Sequence, residues 1–334
     1  MKTLVIPSFG IDNLQFTDRP EPKPGYGQVL LKMKAWSLNY RDLLVVKGLY
    51  NPRLKLPFVP LSDGVGEVIG VGDGVTRVKV GDRVAGCFMS RWIAGELTDV
   101  GAKSGLGGVA DGVAADQVVL HEDSVVKFPS HLSDEEAATL PCAALTAWQA
   151  LITQGHLKAG DSVLVQGTGG VSIFALQFAK LTGARVIATS SSNAKLERAK
   201  QMGASDGINY KDTPAWEEKV RELTGGTGVD HVVEVGGAGT FNQSMKAVRL
   251  GGIVSLIGVL AGKGDVNLMP VLMKSVRVQG IFVGSREMFE AMNRAIDLSK
   301  LRPVIDRVFD FKDIQAALKH MESGAHFGKI CVRA

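Results

Sequence analysis

Cysteine is scarce in this 334-residue chain. Cys87, Cys142 and Cys331 are too few and too scattered for a disulfide framework, and that usage suits a reducing compartment. Long apolar runs are missing as well: no stretch approaches the ~18 consecutive residues of a membrane span. The opening residues, Met1 to Gly10, carry no extended apolar segment of the kind an export signal requires. Charge of one sign does not dominate, because 38 Lys and Arg oppose 34 Asp and Glu for a net charge of +4. No Lys/Arg cluster stands out, so neither nucleic acid nor a membrane is expected as a partner. The six histidines fall in no nucleophile or metal-ligand motif. The expectation left standing is a cytoplasmic globular chain, 22% charged and 45% hydrophobic, long enough for two domains.

Glycine, by contrast, is abundant, with 40 residues placed mostly at turns. The most informative turn lies between residues 161 and 180. Residues 163–165, Val-Leu-Val, read as a buried strand, and residues 173–181 carry apolar side chains at helical spacing. Between them stand Gly167, Thr168, Gly169, Gly170 and Val171. Strand, glycine turn and helix form the unit that cradles a dinucleotide pyrophosphate. Gly167 permits the tight turn, Gly169 lets the backbone approach the phosphates, and the helix N-terminus offers unpaired N–H groups. Ser172 stands where that fingerprint has its third glycine.

The next strand, 185–189, and the next helix, 194–202, form the second half of such a site. This strand normally ends in an acidic residue that binds the adenosine ribose. Here it ends in Ser190, Ser191, Ser192 and Asn193, with Lys195 and Arg198 beyond. Without a carboxylate a 2′-phosphate is not repelled, and hydroxyls and a cation provide donors for it. The expected cofactor is therefore NADP(H). A plain polar turn with Ser or Asn as helix N-cap explains the same residues, and the two readings are compatible.

Up to residue 125 short β-like runs alternate with Gly/Pro/Asp turns, at 29–33, 64–71, 82–85 and 115–120. That spacing implies a barrel-like β domain, with the glycine-rich segment 95–112 as a surface loop. From Ser133 helices and strands alternate, which implies an α/β domain with a parallel sheet. Its expected strands are 163–165, 186–189, 207–209, 231–234, 252–257 and 276–282, six in a doubly wound arrangement. The tail contains a helix (288–298), a strand (308–311), a helix (313–323) and a strand (328–333), and its strands are expected to return to the first domain.

Several runs carry a resemblance over essentially the full length: Pro57 to Gly72, Val80-Gly-Asp-Arg-Val84, Ala144-Leu-Thr-Ala-Trp148, the Gly167 turn and Gly328-Lys-Ile-Cys-Val332. The chain resembles the medium-chain dehydrogenases/reductases, the superfamily of zinc alcohol dehydrogenases and quinone oxidoreductases. The resemblance implies a GroES-like β-barrel catalytic domain, 1–125 completed by 288–334. It also implies a doubly wound six-stranded Rossmann domain, 126–287. In the zinc branch the first Cys ligand lies in the segment corresponding to 35–40, which has no Cys here. The ligand His corresponds to Ser62 and its Glu neighbour to Asp63, and only Cys142 falls at a third ligand position. Catalytic zinc needs three protein ligands, so a zinc-free enzyme is expected.

The run from Asn39 to Tyr50 resembles the zinc-free quinone oxidoreductase branch, where it lines the nicotinamide pocket. Without a Lewis acid, hydride delivery to the β-carbon of an enone or to a quinone is favoured, because the charge spreads onto an oxygen that hydrogen bonds can meet. Asn39 and Tyr40 are the candidate donors, with Tyr50 a third. Equally, Asn39 caps the following helix while Arg41 and Asp42 pair on its surface. By resemblance Lys195 and Tyr210 reach the 2′-phosphate, Ile257, Val259, Phe282 and Val283 flank the nicotinamide, and Lys329 lies nearby. Trp36, Phe88, Met89, Trp92 and Met269 are either the wall of an apolar substrate pocket or core. The expected partners are a small apolar carbonyl or quinone and a second copy of the chain, in a homodimer or homotetramer joined through 276–282. Alternatives are a zinc-free alcohol or aldehyde oxidoreductase and a non-catalytic NADPH-binding sensor.

Overall fold

The computed structural model describes residues 1–258 and 264–334. They divide into two units, Met1–Leu145 with Val283–Ala334, and Thr146–Phe282. The first unit contains β1 (Lys2–Val5), β2 (Gln15–Asp18), β3 (Gln28–Ser37), β4 (Asp63–Val71), β5 (Arg83–Gly86), β6 (Gln117–His121) and β7 (Val125–Lys127). The second contains β8 (Ser162–Gln166), β9 (Arg185–Ser190), β10 (Asp206–Asn209), β11 (Val229–Glu234), β12 (Val248–Leu256) and β13 (Arg277–Gly280). Two tail strands, β14 (Ile305–Asp310) and β15 (Lys329–Arg333), belong to the first unit.

In the second unit the strand order is β10-β9-β8-β11-β12-β13, and every pairing is parallel. The strands of β8 and β9 are buried almost throughout rather than alternately, as a sheet covered on both faces requires. The order reverses between β8 and β11, which puts a crevice at the C-terminal ends of those strands. All six strands lie where the sequence pattern places them, and the fold is the doubly wound one. The helix Gly170–Thr182 buries Ile173, Phe174, Leu176 and Phe178, and ends at Gly183 with φ +85°.

The first unit is built on the sheet β14-β15-β3-β4-β5-β7, with β6 also paired to β3. Along β3 the side chains of Val29, Leu31 and Met33 are buried while Lys32 is exposed, the period-2 signature of a half-buried strand. Trp36 anchors the core: it stacks on Phe311 at 4.1 Å, and its Nε1 donates to the Val113 carbonyl at 2.6 Å. The tail strands return to this unit as expected, β15 lying antiparallel to β3 and parallel to β14.

Three expectations need correction. The first unit runs to Leu145 rather than 125, because the helix Asp134–Ala138 packs on β3, β4 and β15. It resumes at Val283 rather than 288, since the helix Arg286–Ser299 is tied to it by Arg286 N donating to Trp92 O and Asn293 Nδ2 to Lys127 O. The segment 95–112 is not simply a surface loop. Ser104 and Leu106 are buried in it, and a Cβ on Gly112 would lie 2.1 Å from the Pro60 carbonyl oxygen. The glycines there allow backbone to press on backbone.

Candidate functional site

Each unit holds one set of the residues that the sequence singles out. In the second, Gly167 leaves β8 at φ +71° and Gly169 is the N-cap of the helix Gly170–Thr182. A Cβ built on Gly167 or Gly169 meets nothing within 4 Å, so both face open space that a side chain would invade. Thr168 is buried between them, and Gly170 and Val171 open the helix with its unpaired N–H groups. Ser172 is 2% exposed and its Oγ donates to the Gln166 carbonyl at 2.6 Å, pinning the helix to the strand end. A pocket of about 420 Å³ opens beside this turn, lined among others by Gly167, Thr189, Tyr210, Trp216 and Thr240. These residues fit a dinucleotide at its phosphate turn.

Ser190 ends β9, is 3% exposed, and accepts a hydrogen bond at Oγ from Ser192 N. Its carbonyl accepts from Tyr210 N at 3.1 Å, which brings the half-exposed Tyr210 to the same sheet end. Ser192 caps the helix Asn193–Gln201 by accepting from Lys195 N, so the polar turn does cap a helix. Ser191 lies within that turn and Lys195 in the first helical turn, both half-buried. No carboxylate ends the strand.

Sequence reasoning missed Glu234. This fully buried residue ends β11 and accepts from Gly236 N, Gly237 N, Thr240 Oγ1, Gln166 Nε2 and Ser244 Oγ. It ties the ends of β8 and β11 under the glycine turn, and its signal was a lone acid closing an apolar run. Its carbonyl accepts from Ile257 N at 2.9 Å. Phe282 is 40% exposed at the end of the second unit, and Val283 begins the first at φ +56°. Val259 lies outside the described residues.

In the first unit Asn39 is the N-cap of the helix Tyr40–Val46, and Asp42 Oδ2 accepts from its backbone N at 2.8 Å. The Asn39 side chain is engaged elsewhere. Its Oδ1 accepts from Lys329 Nζ at 2.6 Å, and its Nδ2 donates to Ser62 Oγ at 3.2 Å. Ser62 Oγ donates onward to Asp63 Oδ1 at 2.8 Å, and Asp63 Oδ2 accepts from Cys142 N at 3.1 Å. Lys329 is 3% exposed and also donates to the Leu38 carbonyl. Placed by resemblance on the cofactor side, it spends two of its three donors within this network.

Burial pushes the Asp63 carboxyl up, opposed by the Lys329 ammonium. Burial likewise raises the Asp42 carboxyl to about 6, against the pull of Arg41. Arg41 and Asp42 are not a surface pair. Asp42 is fully buried, while Arg41 lies over the Phe88 ring at 4.1 Å and donates to the Leu106 carbonyl. Tyr40 is 44% exposed at the first helical position, and Tyr50 is also exposed. Of the aromatic and Met set, Trp36, Phe88, Met89 and Trp92 are core, whereas Met269 is exposed.

Residues 25–130 match the alcohol dehydrogenase GroES-like domain, and residues 170–298 match the zinc-binding dehydrogenase domain. A zinc-type alcohol dehydrogenase-like protein of Schizosaccharomyces pombe is 44% identical over 332 residues, covering 97% of this chain and 96% of its own. A crystal structure of an NAD-dependent alcohol dehydrogenase superposes with TM-score 0.91 at 35% identity, with both chains fully covered. The quinone oxidoreductase from Coxiella burnetii gives TM-score 0.82 at 30% identity, covering 100% of this chain and 99% of that one.

These relatives raise the question of zinc, and the side chains answer it poorly. Ser62 offers a neutral hydroxyl, both Asp63 oxygens are engaged, and desolvation with the Asp63 carboxylate behind it drives the Cys142 thiol far up. The Lys329 ammonium is bonded to Asn39, which is itself bonded to Ser62. Among the described residues no three His, Cys, Asp or Glu side chains group as metal ligands, and this donor set does not fit zinc. By its two matched domains, its fold and its full-length relatives, the chain belongs to the medium-chain dehydrogenase/reductase superfamily and is an oxidoreductase.

Proposed function

We propose that this protein is an NADPH-dependent reductase that passes hydride to quinones or α,β-unsaturated carbonyls without a metal. One observation carries the reading: where the zinc branch gathers its ligands, this chain holds an amide, Asn39, bonded to a buried ammonium and a hydroxyl. Such a set can donate hydrogen bonds but cannot act as a Lewis acid. When bound, NADPH supplies the hydride. Asn39 then donates an N–H to the acceptor's carbonyl oxygen as charge builds there, and Tyr40 offers a second donor from its exposed hydroxyl. Gly167, Gly169 and the helix N-terminus hold the pyrophosphate, while Ser190, Ser191, Lys195 and Tyr210 meet the 2′-phosphate.

Of the relatives named above, one is called a zinc-type alcohol dehydrogenase-like protein and one an NAD-dependent alcohol dehydrogenase, which keeps a zinc-free alcohol or aldehyde oxidoreductase as the second reading. A substrate panel decides: quinones, enones, aldehydes and alcohols, each with NADPH/NADP and NADH/NAD. Brisk quinone or enone reduction with NADPH is expected, with Ser190→Asp reversing the nucleotide preference. Brisk oxidation of simple alcohols with no enone or quinone turnover would overturn the reading, as would stoichiometric tightly bound zinc.

A further inference from the structure

The hydrogen-bond chain in the first unit has ionisable ends. It runs from the Lys329 ammonium through Asn39 and Ser62 to the Asp63 carboxyl. An ammonium carries three donors and no acceptor. The Asn39 atom 2.6 Å from Lys329 Nζ must therefore be the amide oxygen, whichever way the amide is otherwise assigned. Its nitrogen consequently faces Ser62. Remove the ammonium and the amide is held only from the Ser62 side, where a flip requires Ser62 to turn its single proton from Asp63 Oδ1 to the amide oxygen.

We infer that Lys329 is a positioning residue that fixes the Asn39 amide with its N–H, rather than its oxygen, toward the substrate. The inference rests on the reading of Asn39 as the donor to the substrate oxygen, and it explains why a cation is buried beside it. A flipped amide would present a lone pair to an oxygen that is gaining negative charge, turning attraction into repulsion at the moment of transfer. Lys329 cannot wander to another partner, since the Leu38 carbonyl takes a second of its protons and the side chain is 3% exposed.

A double-mutant cycle tests this, using Lys329→Met, Asn39→Ala and the pair. Lys329→Gln is the control, because its amide can still donate to Asn39 Oδ1 but does not compel it to accept. Lys329→Met is expected to lower kcat about tenfold or more with KM and the NADPH Kd little changed. Lys329→Gln should lose less. In the Asn39→Ala background the lysine change should cost under about twofold, since there is no amide left to orient. An equal loss in both backgrounds overturns the inference, and so does a weakened NADPH Kd with kcat intact, which would assign Lys329 to the nucleotide. The cycle runs on whichever acceptor or alcohol the parent turns over, so it is independent of the quinone and enone result. The urea midpoints of the same four proteins report the coupling with no substrate at all, and additive losses there overturn the chain itself.

Discussion

At the residue scale, Asp42 is the most exacting position in the first unit. It is fully buried, burial raises its carboxyl to about 6, and one of its oxygens, Oδ1, has no hydrogen-bond partner among the described residues. A carboxyl raised in the folded state binds its proton more tightly there than in the unfolded chain. Stability from this group is therefore fully present below about pH 4 and is lost as pH rises through about 6, a slope worth up to about 3 kcal/mol. Asp63 is shifted in the same direction. Carboxyls held low by cations, such as Asp230 beside Arg249, contribute the opposite slope, so only the difference between proteins is diagnostic. Asp42→Asn keeps an acceptor for Asn39 N and removes the charge. Urea midpoints measured from pH 4.5 to 7 should fall less for the variant than for the parent. Parallel curves would show that Asp42 does not titrate in this window.

At the element scale the strand-turn-helix around Gly169 separates stability from binding. Gly169 has ordinary φ (−78°), and a Cβ there touches nothing within 4 Å. Gly169→Ala should thus leave the unliganded protein within about 0.5 kcal/mol of the parent. If the pyrophosphate lies against that glycine, the methyl group occupies its place, and the NADPH Kd should rise about tenfold or more. Unchanged affinity by fluorescence titration would move the phosphate site elsewhere. This unit was legible in the sequence because each of its signals is local: a buried apolar run, glycines with a backbone reason, and helical spacing after them. The first unit was less legible, and for a physical reason. Lys329 and Asn39 meet across 290 positions of sequence, and no periodicity records such a pairing. The burial of Ser104 and Leu106 was hidden in the same way, since glycine-rich sequence looks alike whether it faces water or presses against Leu61. Glu234 was visible as a lone acid, but its tie to Gln166 at the end of β8 spans 68 positions, and no local pattern records it.

At the scale of the whole molecule, the second unit ends in an unfinished sheet. Among the described residues β13 pairs only with β12, which leaves its other edge open. The helix Met269–Met273 buries none of its residues, with Leu272 73% and Met273 70% exposed, and Leu268 and Leu250 are similarly bare. An open parallel edge beside a group of exposed Leu and Met side chains is a liability for a monomer and a natural seam for a second copy. A two-fold pairing of β13 with its counterpart would extend the six strands into one continuous sheet and cover the helix with the same surface of the partner, the self-complementary geometry of a C2 dimer. Light scattering at micromolar concentration should give at least a dimer. Leu272→Arg with Met273→Lys places two charges on the seam and should shift the protein toward monomer, while Lys329 and Asn39, which belong to the first unit, keep their hydrogen bond. A parent that scatters as a monomer would refute the seam, and a dimer indifferent to both charges would place the interface on another face.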